Sequence, residues 1–240
     1  MPLVTTDYLS LLSYGADGWG DELLSGLFIT FSLALATLPL GLLLGLGLAL
    51  AKRGGDPALA LSANVYTTLF RGLPELLTLF LVYYGGQNLL NSVSTTLGWG
   101  NIEISSFLAG MIALGFVFAA YSSEVFLSAF QAIPNGQWEG GRALGLRERR
   151  IFRLVIFPQL LRISLPGLSN VWLNLLKDTA LVSVVGLSDI LRQTGVAARV
   201  TREPFFFFAL ACVLYLILTF VSSLALGRLE RWTRRGEAAR

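Results

Sequence analysis

The chain contains no histidine and a single cysteine, Cys212. A disulfide within the chain is therefore impossible, and a Cys/His zinc site, which needs about four such ligands, is excluded. Cys212 sits inside an apolar run and reads as a small apolar residue, buried or facing lipid. Charge is scarce too: 14% of the 240 residues are charged while 54% are hydrophobic, against roughly a quarter charged in a soluble domain. There is no G-x-x-x-x-G-K-[ST] loop to cradle phosphates, and the only lysines, Lys52 and Lys177, lack that context. With no histidine and scattered acids, no constellation of base and nucleophile suggests an enzyme. No ring-forming motif suggests a channel, and no internal repeat is evident. The N-terminal stretch carries Asp7, Asp17 and Asp21 without a basic residue, unlike the positive opening of a signal peptide.

What is present is apolar length. Leu23 to Ala51 and Phe205 to Leu226 contain no charged residue, and each exceeds the roughly 20 residues that span a bilayer as a helix. We read an integral membrane protein forming one transmembrane domain over 1–240, with five spans at about 23–51, 58–84, 104–130, 160–188 and 205–227. Five spans put the termini on opposite sides. The connections 52–57 and 131–159 and the tail after 227 hold twelve basic residues, Lys52, Arg53, Arg142, Arg147, Arg149, Arg150, Arg153, Arg228, Arg231, Arg234, Arg235 and Arg240. The opposite set holds three, Arg192, Arg199 and Arg202. This bias places the N-terminus outside and the C-terminus in the cytoplasm. Pro204 followed by four phenylalanines, with Trp19, Trp99 and Trp232, fits membrane edges. The glycines of "GLLLGLG" (41–47) permit a close helix contact; glycine merely tolerated in a lipid-facing helix is the competing reading.

The cytoplasmic stretch "QWEGGRALGLRERRIF" (137–152) is polar, glycine-rich and basic. "IPNG" (133–136) stops the preceding helix. A short helix is expected from Gln137 to Leu144, ended by Gly145 in a left-handed conformation, and a second piece, "LRERRIFRLVIF", runs to Pro158. Gly140, Gly141 and Ala143 leave the short helix slim enough to enter a groove on another protein. Glu139 and Arg142, at i and i+3, share a face and can orient it by ion pairs. The alternative is an amphipathic helix held on anionic membrane lipid by its arginines.

Charges inside spans are the pointers to a solute path, because a charge in the bilayer is costly and normally faces protein or water. Arg71 and Glu75, at i and i+4, share a face if the helix is intact, with Pro74 between them as a possible kink. They line a path, pair structurally, or sit at an interface. Lys177 and Asp178 are adjacent, so at most one easily faces a cavity. Glu124 reads as a helix-packing or loop-anchoring residue with path lining as the alternative, and Tyr121 as packing or a path wall. Pro166 is either a kink or a helix start.

One pattern goes further. Glu139-Gly140-Gly141-x-x-x-Gly145, nine residues, then Val155-x-Phe157-Pro158 resembles the EAA loop of ABC importer permeases, Glu-Ala-Ala-x-x-x-Gly, nine residues, Ile-x-Leu-Pro. The chain departs at four places, all small or apolar exchanges. "RGLPELLTLFLVYYG" (71–85), "AAYSSEVFLSAFQAIPNGQ" (119–137), "LLKDTALVSVVGLSDILRQT" (175–194) and the segment 203–232 are similar to the polar amino acid permeases, and most to the histidine and lysine/arginine/ornithine Q-type branch with the octopine and nopaline permeases. The resemblance implies an all-α membrane protein, five transmembrane helices of the type I ABC importer permease fold with a cytoplasmic coupling helix, in the bacterial inner membrane. It implies uptake of polar amino acids, basic ones foremost, or opines, and no enzymatic activity or cofactor in this chain, ATP and Mg being bound by a partner ATPase. The implied partners are an ABC ATPase dimer, a sister permease subunit (a heterodimer, with a homodimer open) and a periplasmic amino-acid-binding protein, and no nucleic acid. The coupling residues would be Glu139, Gly140, Gly141, Arg142, Ala143, Gly145 and Pro158. Those of the path would be Arg71, Glu75, Tyr121, Glu124, Lys177 and Asp178. The competing function is an ion-gradient-driven secondary transporter, which usually shows inverted repeats.

Overall fold

The computed structural model describes residues 8, 10–15, 18–98, 100 and 102–234. Asp7, Asp17, Trp99, Arg235 and Arg240 lie outside the described residues. The described chain is helical without strands. Helix α1 spans Gly20–Arg53. Asp21 and Glu22 in its first turn and Lys52 and Arg53 in its last complement the helix dipole at both ends. Helix α2, Pro57–Gly72, starts with Pro57 at its first position and Asp56 as cap, the carboxylate accepting from the Ala58 amide at 2.9 Å.

The second apolar run departs from the expectation of one helix over 58–84. Leu73 takes extended backbone angles (φ −86°, ψ 141°), as the residue before a proline prefers, and α2 stops at Gly72. The chain resumes as α3, Glu75–Thr96, bent 109° from α2. Pro74 therefore breaks the helix rather than kinking it, and Arg71 and Glu75 do not share a face.

Helix α4, Ser106–Ala132, is capped by Ser105, whose hydroxyl accepts from the Leu108 amide at 3.2 Å. It is the central helix, with 61% of its most apolar window buried. Helix α5, Gly136–Ala143, is the short piece expected after "IPNG", and Gly145 follows it at φ +73°, the left-handed position glycine adopts at little cost. Helix α6 then runs continuously over Glu148–Val185. It includes a π-helical turn at Phe152–Ile156 and a 3-10 end at Thr179–Val185. The piece expected to finish at Pro158 is thus the beginning of this helix, and Pro166 lies inside it rather than at its start. Helix α7, Ile190–Thr201, is capped by Asp189, and α8 spans Pro204–Arg234.

By length and composition α1, α4, α6 and α8 are each able to cross a membrane, and the bent α2–α3 pair makes up to a fifth crossing. Helix α1 lies along α4, α6 packs on α4 and also touches α1, and α8 rests on α6 and α7. The α1–α4 approach uses the glycines read from "GLLLGLG". Gly41 and Gly45 are buried, and a Cβ at either would meet Phe118 or Ser122 of α4. Ser122 donates to the Gly41 carbonyl at 3.3 Å. Gly47 faces open space. Close packing is therefore the role of two of the three. Leu33, Leu79, Leu114, Phe118, Leu176 and Val182 form the main core, and a second cluster around Phe126, Phe130, Ile151 and Leu160 joins α4 to the start of α6. In α8 only 11% of the apolar window is buried, and Cys212, Leu216 and Phe220 are exposed.

Candidate coupling surface and intramembrane cavity

Helix α5 is attached to the rest of the chain by packing and by side-chain contacts. A Cβ on Gly141 would stand 2.8 Å from Ile151 of α6, whereas one on Gly140 would meet nothing within 4 Å. The two glycines that replace the alanines of the family pattern are therefore unequal. Gly141 lets α5 seat on α6, and Gly140 belongs to the open face. Arg142 reaches across to α6. Its Nε donates to Glu148 across the Gly145 turn at 2.6 Å, and that carboxylate holds the guanidinium pKa above its ordinary value. The turn brings α6 back beside α5, so Arg142 forms its ion pair within the chain. Gln159 Nε2 donates to Gln137 Oε1 at 3.3 Å and to the Val155 carbonyl at 2.8 Å. Glu139, Gly140, Ala143 and Gly145 remain exposed, and Pro158 sits at the start of the α-helical part of α6. Trp138, Glu139, Arg142, Arg53 and Glu148 border a hollow of about 530 Å³.

The path candidates divide into two groups. Glu75, Tyr121, Lys177 and Asp178 line a cavity of about 440 Å³ between α3, α4 and α6, a volume within the range of small-molecule sites. The adjacent Lys177 and Asp178 both reach it, against the expectation that only one easily does. The cavity wraps the C-terminal end of the α-helical part of α6, so residues about 100° apart flank one concavity. Glu75 and Asp178 lie within electrostatic reach of each other. Asn170 and Asn174, missed by inspection of charge alone, complete the polar wall. With Lys177 and Asp178 they form an i, i+4, i+7, i+8 stripe in an apolar helix, a periodicity visible in the sequence.

Arg71 and Glu124 are outside that lining. Lys52 Nζ donates to Glu124 Oε1 at 2.5 Å and to Thr67 Oγ1 at 2.6 Å. The Arg71 guanidinium lies 3.5 Å from the same carboxylate and 5.7 Å from the Tyr121 ring centroid. The Lys52 side chain is 4% exposed and that of Glu124 34%. This network joins α1, α2 and α4, and Tyr121 connects it to the cavity wall.

Comparisons with known proteins agree with the geometry. Residues 38–235 match the family model of the binding-protein-dependent transport system inner membrane component. The chain is 40% identical over 230 residues to the octopine transport system permease protein OccQ of Rhizobium meliloti, covering 95% of this chain and 97% of the relative. It is 40% identical over 214 residues to the histidine/lysine/arginine/ornithine transport system permease protein HisQ of Escherichia coli K12, covering 89% and 94%. A solved amino acid ABC transporter crystallised with histidines has a chain that superposes with TM-score 0.78 at 32% identity, covering 95% of this chain and 99% of that one. A chain of the MetNI methionine transporter shares the fold at TM-score 0.69 and 19% identity, covering 89% and 97%. The chain belongs to this family of inner membrane components, as the multi-pass, non-enzymatic permease subunit of an ABC importer that works with a separate ATPase and a binding protein.

Proposed function

We propose that this subunit carries basic amino acids or opines, and that the α3–α4–α6 cavity is where the solute passes. The observation that carries this reading is the cavity lining, two carboxylates (Glu75, Asp178) against one ammonium (Lys177), with amide groups from Asn170 and Asn174 and a Tyr121 ring. Net negative lining in a low-dielectric setting favours a guanidinium, imidazolium or ammonium over an acidic solute. The names of the relatives, octopine and histidine/lysine/arginine/ornithine permeases, support the same class. Arg71 and Glu124 act in the scaffold behind the cavity.

The open face of α5, with Glu139, Gly140, Ala143 and Gly145, is the docking surface for one ATPase of a dimer that binds ATP and Mg. The opposite membrane side receives the periplasmic binding protein. The basic bias of the loops supports an N-terminus in the periplasm and a C-terminus in the cytoplasm, with all of 1–240 forming one domain. The exposed faces of α8 and α2 suit lipid and a sister permease subunit, in a heterodimer. A gradient-driven carrier finds no support in the relatives.

Two measurements test this. In uptake assays Glu75→Gln or Asp178→Asn should raise KM for arginine, histidine or octopine by about 10-fold or more, the worth of one charge-assisted hydrogen bond, and leave competition by a neutral amino acid unchanged. Equal losses for charged and neutral solutes would remove the proposed selectivity. In purification from native membranes an ATPase and a second permease should accompany the chain, and Glu139→Lys with Gly145→Asp should release the ATPase.

A further inference from the structure

The last two residues of α1 point to different neighbours. Lys52 is bonded to Thr67 of α2 and Glu124 of α4. Arg53 carries its guanidinium between two rings, 5.0 Å from the centroid of Phe130 at the end of α4 and 4.7 Å from that of Trp138 in α5. Both distances suit cation–π contact, for which arginine's flat, weakly hydrated head is well matched. Phe130 is buried and Trp138 packs on the same apolar cluster. The other ties of α5 described above run to α6, next in the chain, through Arg142–Glu148 and Gln137–Gln159. Arg53 instead joins α5 to a helix more than 80 residues away in sequence.

From this we infer that Arg53 is a positioning residue for energy coupling. Clasped by Trp138 and Phe130, it fixes the end of α1 to the docking helix, so that a displacement of α5 by the ATPase is passed through Lys52, Glu124 and Arg71 to Tyr121 at the cavity. The inference rests on the reading of α5 as the docking helix. Packed helices and short ion pairs transmit displacement because they are not continuously deformable. Neither Lys52 nor Arg53 belongs to the family's loop pattern, and neither lines the solute cavity.

The test uses the complete importer purified from native membranes, in a Cys212→Ser background with Asn174→Cys, in the wall of the same cavity, as reporter, so that Tyr121 stays in place. The probe is a trimethylammonium-ethyl methanethiosulfonate, and its attachment to this chain is read by mass. The modification rate is compared without nucleotide and with ATP plus vanadate. With the clasp intact the two rates should differ about 10-fold, inside the usual range for coupled sites. Arg53→Gln, which stays polar but drops the charge and the guanidinium, and Trp138→Leu, which stays apolar but drops the ring face, should each cut the difference below about 2-fold. The ATPase should stay in both complexes and go on hydrolysing ATP, and Arg53→Lys and Trp138→Phe should restore the difference. The inference is overturned if both variants keep the full difference, or if the intact complex shows none. It is also overturned if Arg53→Gln releases the ATPase, since Arg53 would then be an assembly contact. Retention of the ATPase by the Glu139→Lys, Gly145→Asp variant would overturn the docking reading instead, through a separate readout.

Discussion

Replacing Glu124 by glutamine isolates one buried charge. Lys52 is almost wholly enclosed, 4% exposed, and its ammonium is held by Glu124 Oε1 at 2.5 Å and Thr67 Oγ1 at 2.6 Å. Removing one partner of a buried pair costs about 3–5 kcal/mol, because the other charge is left without compensation. Two features reduce that here. Glu124 is 34% exposed, so water already screens its outer side, and the Thr67 hydroxyl remains. Arg71, with 45% of its side chain exposed, turns to water at little cost. A loss of about 2 kcal/mol is expected, which for a chain of this size lowers the melting temperature by about 4–8 °C. The assay is thermal unfolding of the detergent-purified importer, for Glu124→Gln, Lys52→Met and the double variant. If the charges compensate each other, the double variant should lose less than the sum of the singles by about 1 kcal/mol or more. A Glu124→Gln shift under about 1 °C, or strict additivity, would refute the claim that Lys52 depends on Glu124.

Two further substitutions have opposite signs expected. Gly140→Ala meets open space and should raise stability by up to about 1 kcal/mol through helix propensity. Gly141→Ala would drive a methyl to 2.8 Å from Ile151 and should cost about 1–3 kcal/mol; melting curves of the two variants decide it. A third prediction concerns pH. Asp189, between α6 and α7 and outside the apolar helices, is buried. Its Oδ1 caps α7 by accepting from the Arg192 amide at 2.9 Å, and its Oδ2 has no hydrogen-bond partner. Burial pushes its pKa up to about 6, against the opposing amide hydrogen bonds of Arg192 and Leu191. A raised carboxyl pKa adds stability below the unfolded value near 4 that is lost as pH rises through about 6. Asp189→Asn keeps a capping oxygen and should melt higher than the parent at pH 7.5, by about 2 kcal/mol, with the advantage shrinking to about a third at pH 4.5. An equal advantage at both pH values would point to packing instead.

Features governed by near neighbours were legible in the sequence. The apolar runs, the slim helix after "IPNG", the left-handed Gly145 and the small-residue contact of α1 all follow from spacing within a few residues. The break at Pro74 was half legible. The proline was noted, but the i, i+4 pairing of Arg71 with Glu75 assumed a continuous helix, whereas the residue before a proline resists helical angles. The Arg142–Glu148 pair was not legible from spacing, since only the turn at Gly145 brings Glu148 alongside. The polar stripe of Asn170, Asn174, Lys177 and Asp178 was readable by period, but attention to charge alone passed over the amides. The links from Lys52 to Glu124 and from Arg53 to Trp138 join residues more than 70 positions apart, and no local rule places them.

The unequal surroundings of Gly140 and Gly141 constrain how this loop can change over time. On the proposed docking of α5, the size of the residue at 140 answers to another gene product, the ATPase groove that would receive the helix. The size at 141 answers to Ile151 within the same chain. Substitutions at the two neighbouring positions should therefore follow separate histories. A methyl gained at 141 should travel with a shortened or rotated side chain at 151, and a change at 140 with one in the ATPase.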